Sequence, residues 1–405
     1  MTRVSLLLPL LVFLLLGLAG CRCPTPATPA APSRRPLRTV VVISLDGFRH
    51  DYAERAGASA APTFARIERE GARAKRLIPP FPSQTFASHA TLATGVRPAK
   101  HGILNNSFRD RRRGRYRQED DVSWYDAPPL WIHAQRLGLR SHVYHWPSSS
   151  GAWHGTEPAF WRLFNRHVRD DEKVGAIIDW LRRPAATRPA LIMSYFFGCD
   201  REGHDHGPDS PEVARCVRET DKRVARLVSA VSAAHAALVI VSDHGMTKTL
   251  GEINAQRALD AAGIRGEVLS AGPIGHVYLD ARADLERARV ALAKLPHLAV
   301  RLPDALPRYQ HPTRSGDLVL VAEAGYRLQP KLAGLSGGPT AGGHHGHDPN
   351  HPHMPGVFYL FGDGVARGAK IASARAIDVV PTVCKLLGIA PPTGAEGKVI
   401  EAALR

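Results

Sequence analysis

Short apolar runs rich in Val and Ile alternate with longer amphipathic stretches along most of this chain. Runs of this length and composition are typical of strands buried on both faces, as in a parallel sheet. The apolar runs predict strands at Val40–Leu45, Ser141–His145, Leu191–Phe197, Leu238–Val241 and Gly356–Leu360. The stretches between them predict helices at Pro62–Arg76, Thr85–Thr94, Leu130–Leu137, Pro211–Ala233 and Ile377–Leu387. This alternation predicts an α/β fold, a mostly parallel sheet flanked by helices.

The segment from about residue 250 to 340 has a different pattern. It predicts two strands, Gly275–Leu279 and Asp317–Val321, around a helix at Ala283–Leu295. We interpret the segment as a small α+β cap inserted into one domain that spans residues 39–405. A chain of 405 residues with 44% hydrophobic content is long enough to bury such a core.

The N-terminus does not belong to that core. Residues 4–18 are almost wholly apolar, follow the positive charge of Arg3, and are too few for a comfortable membrane span. The run ends in Leu18-Ala19-Gly20-Cys21, which resembles the lipobox of bacterial lipoproteins, although an ordinary signal peptide cut nearby is the alternative. We expect a signal peptide at residues 1–20 and a Pro/Ala-rich tether at 21–38. The expected location is the bacterial cell envelope, with lipidated Cys21 in the membrane and the domain facing the periplasm or the outer surface.

Charge and cysteine content add little. The formal net charge of +16 could favour anionic substrates or lipid surfaces, but Arg is abundant throughout the chain. No basic helix or aromatic platform indicates a nucleic-acid-binding module. Five cysteines occur without the spacing of a metal knuckle, and a bridge between Cys199 and Cys216 is left open.

The candidate chemistry lies where the predicted strands end. Asp46 and the pair Asp243-His244 each close a strand directly, and Asp200 with His204 follows another. His345 lies in a Gly/His-rich loop before the last strand. Ends of parallel strands are where α/β proteins gather their functional groups. Three aspartates and three histidines supply two three-ligand sites with open positions, which is how a catalytic dizinc centre is built.

A hydroxyl residue begins the helix Thr85–Thr94. Such a residue is most often a simple cap. The same position also offers free backbone N–H groups and a positive dipole end to an anionic phosphate. Placed against a metal ion, the hydroxyl of Thr85 would lose its proton more easily and become a nucleophile.

Taken in order, these motifs resemble the nucleotide pyrophosphatase/phosphodiesterase family of the alkaline phosphatase superfamily. The matching motifs are Asp46-Gly47, Thr85, Asn106, Asp200-x-x-x-His204, Asp243-His244-Gly245-Met246 and Gly343-x-His345-Gly346-x-Asp348. The resemblance implies an alkaline phosphatase-like core and hydrolysis of phosphodiester or pyrophosphate bonds in nucleotides or related small molecules.

The resemblance also implies roles for single residues. One zinc would be held by Asp200, His204 and His345, and the other by Asp46, Asp243 and His244. Thr85 would be the nucleophile facing both ions, and Asn106 a donor to a non-bridging phosphoryl oxygen. Tyr195 matches a family aromatic that stacks on the substrate, and the backbone N–H of Phe86 would stabilise charge on the phosphoryl group.

Two departures from the family pattern put substrate preference in question. Ala87-Ser88 follows Phe86 where the family commonly has Pro-Asn, and His347 replaces a usual aromatic. The alternatives are a phosphomonoesterase that uses Arg97, Lys100 or Arg109, a lipid head-group phosphodiesterase, and a non-catalytic zinc-binding lipoprotein. Manganese or iron would also suit the ligand set.

Overall fold

The computed structural model describes residues 38–405. The expected signal peptide, Cys21 and the tether up to residue 37 lie outside the described residues. Within residues 38–405, no helix is both long and apolar enough to cross a membrane.

The described range contains eleven α-helices and twenty strands. The helices are α1 (Tyr52–Ala56), α2 (Pro62–Glu70), α3 (Thr85–Thr94), α4 (Pro98–His101), α5 (Leu130–Arg136), α6 (Asp170–Leu181), α7 (Asp200–His206), α8 (Pro211–Ala233), α9 (Ala255–Ala261), α10 (Leu285–Leu292) and α11 (Val379–Leu387). The strands are β1 (Val40–Leu45), β2 (Ala72–Ile78), β3 (Ser107–Asp110), β4 (Gly114–Arg117), β5 (Ser141–Tyr144), β6 (Phe160–Arg162), β7 (Leu191–Phe196), β8 (Ala237–Val241), β9 (Thr247–Lys248), β10 (Gly251–Ile253), β11 (Gly266–Ala271), β12 (Ile274–Leu279), β13 (Leu298–Arg301), β14 (Leu318–Ala322), β15 (Tyr326–Leu328), β16 (Ser336–Gly337), β17 (Gly343–His344), β18 (Gly356–Gly362), β19 (Ala369–Ile371) and β20 (Ala374–Arg375).

A large central sheet organises the core, with the strand order β19-β2-β18-β8-β1-β7-β5-β6 and β20 beside β2. The strands β8, β1, β7, β5 and β6 run parallel to one another. Strand β18 is antiparallel to both of its neighbours, β8 and β2. The predicted α/β fold with a mostly parallel sheet is therefore confirmed.

The strand β1 lies at the centre of this sheet and is buried on both faces. Val40 and Val42 pack into one hydrophobic cluster, and Val41, Ile43 and Leu45 into another. Because successive side chains of a strand point to opposite faces, a continuous apolar run serves both clusters. This is why the run carries no alternation of polar residues until Asp46.

One predicted helix is wrong in its second half. The segment Pro62–Arg76 was expected as a single helix, but α2 ends at Glu70 and β2 begins at Ala72. A Cβ atom on Gly71 would lie 2.1 Å from the carbonyl oxygen of Leu360, so only glycine allows this close approach to β18. The following residues pair with β18 in the sheet, and this long-range pairing overrides their helical spacing.

The segment from 250 to 340 builds its own antiparallel sheet in the order β11-β12-β14-β13. The helices α9 and α10 pack on it around a separate hydrophobic cluster that includes Leu259, Leu292 and Leu320. The domain boundaries given above stay a prediction.

Candidate metal centre and active site

Three neighbouring strands of the sheet place the acidic residues together. In the order β8-β1-β7 the strands are parallel, so their carboxyl ends lie at one edge. Asp46 follows β1, Asp243 follows β8, and Asp200 begins α7 shortly after β7. The order of the strands in the sheet therefore brings together residues that lie up to about two hundred positions apart in the chain.

Two overlapping groups of ligand atoms form at this edge. Within each group the atoms lie within 4.8 Å of one another; one group is Asp200, His244 and His345, and the other is Asp46, Asp243 and His244. His204 belongs to neither group, but its Nε2 atom lies 3.4 Å from Oδ1 of Asp200. His345 Nε2 lies 3.6 Å from the same oxygen. All six predicted ligands thus lie in one cluster.

The three histidines are oriented by carbonyl groups. The Nδ1 atoms of His204, His244 and His345 donate to the carbonyls of Gly343 at 2.9 Å, Gly245 at 2.9 Å and Ser83 at 3.1 Å. Since a carbonyl oxygen only accepts, Nδ1 of each ring carries a proton and Nε2 faces the cluster, where it holds the lone pair of the neutral ring. Metal-binding histidines are typically oriented in this way.

The carboxylates fit a bound cation as well. Oδ1 of Asp46, Oδ1 of Asp200 and Oδ2 of Asp243 are buried and have no hydrogen-bond partner among residues 38–405. A buried oxygen without a partner costs free energy unless a further group binds there. One such oxygen on each carboxylate, beside three imidazole lone pairs, is the donor set of a divalent metal centre.

Electrostatics point the same way. Burial, followed by the charges of Asp243 and Asp200, raises the pKa of Asp46 well above its ordinary value. Burial would raise the pKa of Asp243 too, but the rings of His244 and His89 outweigh it and lower that pKa. Burial and the neighbouring His244 and His204 rings lower the pKa of His345 well below its ordinary value. Packed carboxylates beside a neutral imidazole form a cluster that a cation would stabilise.

Thr85 lies beside this cluster at the start of α3. Its Oγ1 atom is 3.3 Å from Nε2 of His244. Gln84 precedes the helix in an extended conformation, and its side chain does not cap the helix. The first N–H groups of α3 therefore face the same space as the threonine hydroxyl.

Asn106 and Phe86 adjoin this helix start. The backbone N–H of Phe86 donates to Oδ1 of Asn106 at 3.0 Å, and the Asn106 amide in turn donates to Gln84 at 3.4 Å. Asn106 is thus held at the start of α3, where Thr85 is the first residue. The catalytic role of Asn106 and the substrate-binding role of Phe86 stay predictions.

Tyr195 has a contact that its sequence position did not reveal. Its hydroxyl donates to Oδ2 of Asp46 at 2.6 Å. It also lines a cleft of about 710 Å³ together with Phe197 and Asp200. The residue therefore orients the carboxylate of a predicted ligand and borders the cleft, and its stacking on a substrate stays a prediction.

Two further residues were missed by sequence reasoning. His89 is fully buried; its Nδ1 donates to the Thr85 carbonyl at 2.7 Å, and Nδ1 lies 3.4 Å from Oδ2 of Asp243. Its position four residues after Thr85, on the same helical face, was the available signal. Phe164 is 42% exposed, with its ring 6.2 Å from that of Tyr195. An exposed aromatic that packs on a cleft-lining tyrosine is recognisable only after folding.

The loop before α7 is held against β1. Cys199 N and Asp200 N both donate to the carbonyl of Asp46, at 2.9 and 3.2 Å. Gly198 has φ +55°, and a Cβ atom there would lie 2.1 Å from that carbonyl oxygen. The chain therefore requires glycine at this position to bring the two ligand segments together. A disulfide joins Cys199 to Cys216, the pairing that the sequence left open.

Comparison with known proteins places this site in a family. The family model described as type I phosphodiesterase/nucleotide pyrophosphatase matches residues 40–348. Ectonucleotide pyrophosphatase/phosphodiesterase family member 1 of Mus musculus is 26% identical over 403 residues, which cover 93% of this chain and 44% of that protein. Bis(5'-adenosyl)-triphosphatase ENPP4 of Bos taurus is 26% identical over 400 residues, 94% of this chain and 84% of that protein. The chain thus spans less than half the length of the first relative.

Solved structures show the same likeness. Murine ectonucleotide pyrophosphatase/phosphodiesterase 5 superposes with a TM-score of 0.79 and 26% identity, over 87% of this chain and 96% of that chain. A structure of its inactive threonine-to-alanine variant in complex with AMP gives the same values. The alkaline phosphatase-like fold is confirmed, and the range that the family model matches, residues 40–348, contains all six predicted ligands and Thr85. The chain therefore belongs to the type I phosphodiesterase/nucleotide pyrophosphatase family.

Proposed function

We propose that this protein hydrolyses phosphodiester or pyrophosphate bonds in nucleotides or related small diesters, with Thr85 as the nucleophile. The observation that carries the proposal is the position of the Thr85 hydroxyl, 3.3 Å from Nε2 of His244 and beside the cluster of predicted ligands. Family membership supports the same class of reaction. Relatives named for nucleotide substrates, and a solved neighbour in complex with AMP, support nucleotides.

The mixed carboxylate and imidazole donors favour two zinc ions, one held by Asp200, His204 and His345 and the other by Asp46, Asp243 and His244. Such ions, when bound, supply charge stabilisation and favour the deprotonated hydroxyl.

The residues of the chain carry out the steps of the reaction. Thr85 Oγ1 attacks phosphorus in line with the leaving oxygen, so that a threonine–phosphate bond forms as the bond to the leaving group breaks. Water then cleaves the threonine–phosphate bond and restores the hydroxyl. We expect the Asn106 amide and the N–H groups at the start of α3, which adjoin Thr85, to stabilise charge on the non-bridging oxygens. Tyr195 holds Asp46 in place through its hydroxyl.

The contacts of three cations favour a diester over a monoester substrate. A phosphomonoesterase needs extra positive groups to match the additional negative charge on its substrate. Arg97 and Lys100 both pair with Glu396, at 3.2 and 3.1 Å, and Arg109 pairs with Glu267. These side chains are engaged with carboxylates and are poorly placed to bind a terminal phosphate.

A substitution at Thr85 tests the proposal. We expect Thr85→Ala to lower turnover of bis-(p-nitrophenyl) phosphate by at least about 1,000-fold, because covalent catalysis is lost. Thr85→Ser keeps a hydroxyl and is the matched control, expected to retain far more activity. Zinc content is measured on the same samples. Near-normal turnover of the alanine variant would refute the assignment, and faster turnover of p-nitrophenyl phosphate would favour the monoesterase.

The location at the cell envelope also belongs to this proposal. We expect export and lipidation at Cys21, with the membrane as partner and the domain facing the periplasm or the outer surface. Metabolic labelling with a fatty acid, compared between the natural chain and a Cys21→Ala variant, checks it. A substrate panel that includes lipid head-group diesters would show whether the membrane supplies the substrate.

A further inference from the structure

The helix α7 is short, although it carries two of the predicted metal ligands. It spans Asp200–His206, seven residues, and carries both Asp200 and His204. A helix of this length is marginal in water, so its position depends on contacts with the rest of the molecule. By contrast, Asp46 and Asp243 follow β1 and β8, which lie in the middle of the central sheet. The two proposed metal sites are therefore supported by different elements, a short helix in one case and central strands in the other.

A covalent crosslink lies at the start of this helix. Cys199 directly precedes Asp200, is 1% exposed, and forms the disulfide with Cys216. The sulfur of Cys216 also lies 3.0 Å from the carbonyl oxygen of Gly198. The bond thus fixes the residue next to the ligand Asp200 and touches the glycine before it.

The other end of the crosslink is on a well-anchored element. The helix α8 is 23 residues long and buries Val213, Val217 and Val224 against the core. The carboxylate of Asp221, on the same helix, accepts hydrogen bonds from the backbone at the start of α2, at 3.0 Å from Thr63 N. Through Cys216, the disulfide therefore links the short helix that carries the predicted ligands to a long helix that is packed into the core.

We propose that the Cys199–Cys216 disulfide positions Asp200 and His204 for metal binding, and that the other site does not depend on it. Neither cysteine is a ligand in this assignment; both act through α7 as positioning residues. The inference rests on the metal assignment of the proposed function and not on the identity of the substrate. We therefore expect loss of the crosslink to lower metal affinity at one of the two neighbouring sites and not at the other.

The test separates the two sites before removing the crosslink. Asp243→Asn leaves the site of Asp200, His204 and His345, and His204→Ala leaves the site of Asp46, Asp243 and His244. Cys199→Ser/Cys216→Ser is added to each background, and zinc affinity is measured by competition with a chromophoric chelator. We expect at least a 10-fold loss of affinity in the Asp243→Asn background and less than a 2-fold change in the His204→Ala background. Equal changes in both backgrounds, or no change in the first, would overturn the proposal.

A second substitution on α8 controls for general loss of stability. Val224→Ala removes buried apolar volume from the same helix, two turns beyond Cys216. Both variants are expected to unfold at lower temperature in EDTA, but only the serine pair should weaken zinc binding. An equal loss of zinc affinity in Val224→Ala would mean that stability, not positioning, explains the result, and the proposal would fall.

The experiment stays informative in two further cases. If the serine pair does not fold, Cys216→Ala replaces it; this variant breaks the crosslink and leaves the buried Cys199 in place, and the same limits apply. Zinc affinity is measured without substrate, so absent phosphodiesterase turnover would refute the proposed function alone.

Discussion

Buried polar groups differ in their hydrogen bonding between two regions: the carboxyl edge of the central sheet, which carries the predicted ligands, and the cap at 250–340. At the edge, Asp46, Asp200 and Asp243 each leave an oxygen without a partner within residues 38–405. Inside the cap segment, every buried side-chain nitrogen and oxygen has a partner. His276 is typical, since its Nδ1 donates to the Ser315 carbonyl at 3.1 Å and its Nε2 accepts from the Tyr309 hydroxyl at 2.8 Å.

This contrast indicates that the polar groups of the edge serve binding and those of the cap serve stability. A satisfied buried group contributes a modest net stabilisation, and removing its partner is costly. An unsatisfied cluster of carboxylates costs free energy in the metal-free protein, and it persists because the surrounding strands impose it. We therefore expect substitutions in the two regions to have opposite effects on stability and on metal binding.

The largest expected effect is at Asp46. We expect Asp46→Asn to lower zinc affinity and diester turnover by more than about 100-fold, since it neutralises a ligand and not merely an outer partner. The same change removes a charge from coupled, buried carboxylates. The metal-free variant should therefore be at least as stable as the natural protein in urea denaturation with EDTA. A clear loss of stability in EDTA would contradict the comparison.

The reverse outcome is expected in the cap. His276→Ala removes two hydrogen bonds and leaves the Tyr309 hydroxyl unpartnered in the core, so we expect a loss of about 2–4 kcal/mol in the free energy of unfolding. Zinc affinity of the folded protein should not change. His297→Ala is the matched control, because that histidine is exposed and should cost no more than about 0.5 kcal/mol. Urea denaturation and chelator competition provide both readouts.

Substitutions at Tyr195 distinguish orientation of Asp46 from stacking on the substrate. Tyr195→Phe keeps the aromatic ring beside the cleft and removes only the hydroxyl that donates to Asp46. We expect about a 10- to 100-fold loss of zinc affinity if the residue orients the ligand. If the residue acts only by stacking on the substrate, zinc affinity stays unchanged and Tyr195→Ala alone raises KM.

The smallest expected effect is a pH dependence. Burial lowers the pKa of His276 to about 4, below its ordinary value. Below a pH of about 6.5 the unfolded chain binds a proton that the folded protein does not, so the stabilising contribution of this histidine is complete above that pH and declines as pH falls. The difference in unfolding free energy between the natural protein and His276→Ala should therefore narrow by about 1 kcal/mol from pH 7.5 to 5.5. A constant difference would mean that His276 titrates alike in both states.

Much of the site could be predicted from the sequence because its residues follow local patterns. Asp46 and Asp243 end apolar runs, and a parallel sheet places such ends on one edge. The bounds of α3 and α8 are those predicted, because Gly95 ends the first and the second shows a long 3.6-residue period. By contrast, β2 was predicted as helix, because its identity as a strand comes from pairing with a segment almost three hundred residues away.

The sequence by itself determined which groups are available for the proposed chemistry, since the residue types and their order along the chain are properties of the sequence. The tertiary structure alone decided how those groups are held. The carbonyl groups that orient His204, His244 and His345, the Tyr195 hydroxyl on Asp46 and the disulfide between α7 and α8 all join distant or differently folded segments. Such contacts depend on the packing of the whole core, because a hydrogen bond or crosslink requires atoms within a few ångströms and the local pattern does not encode that distance.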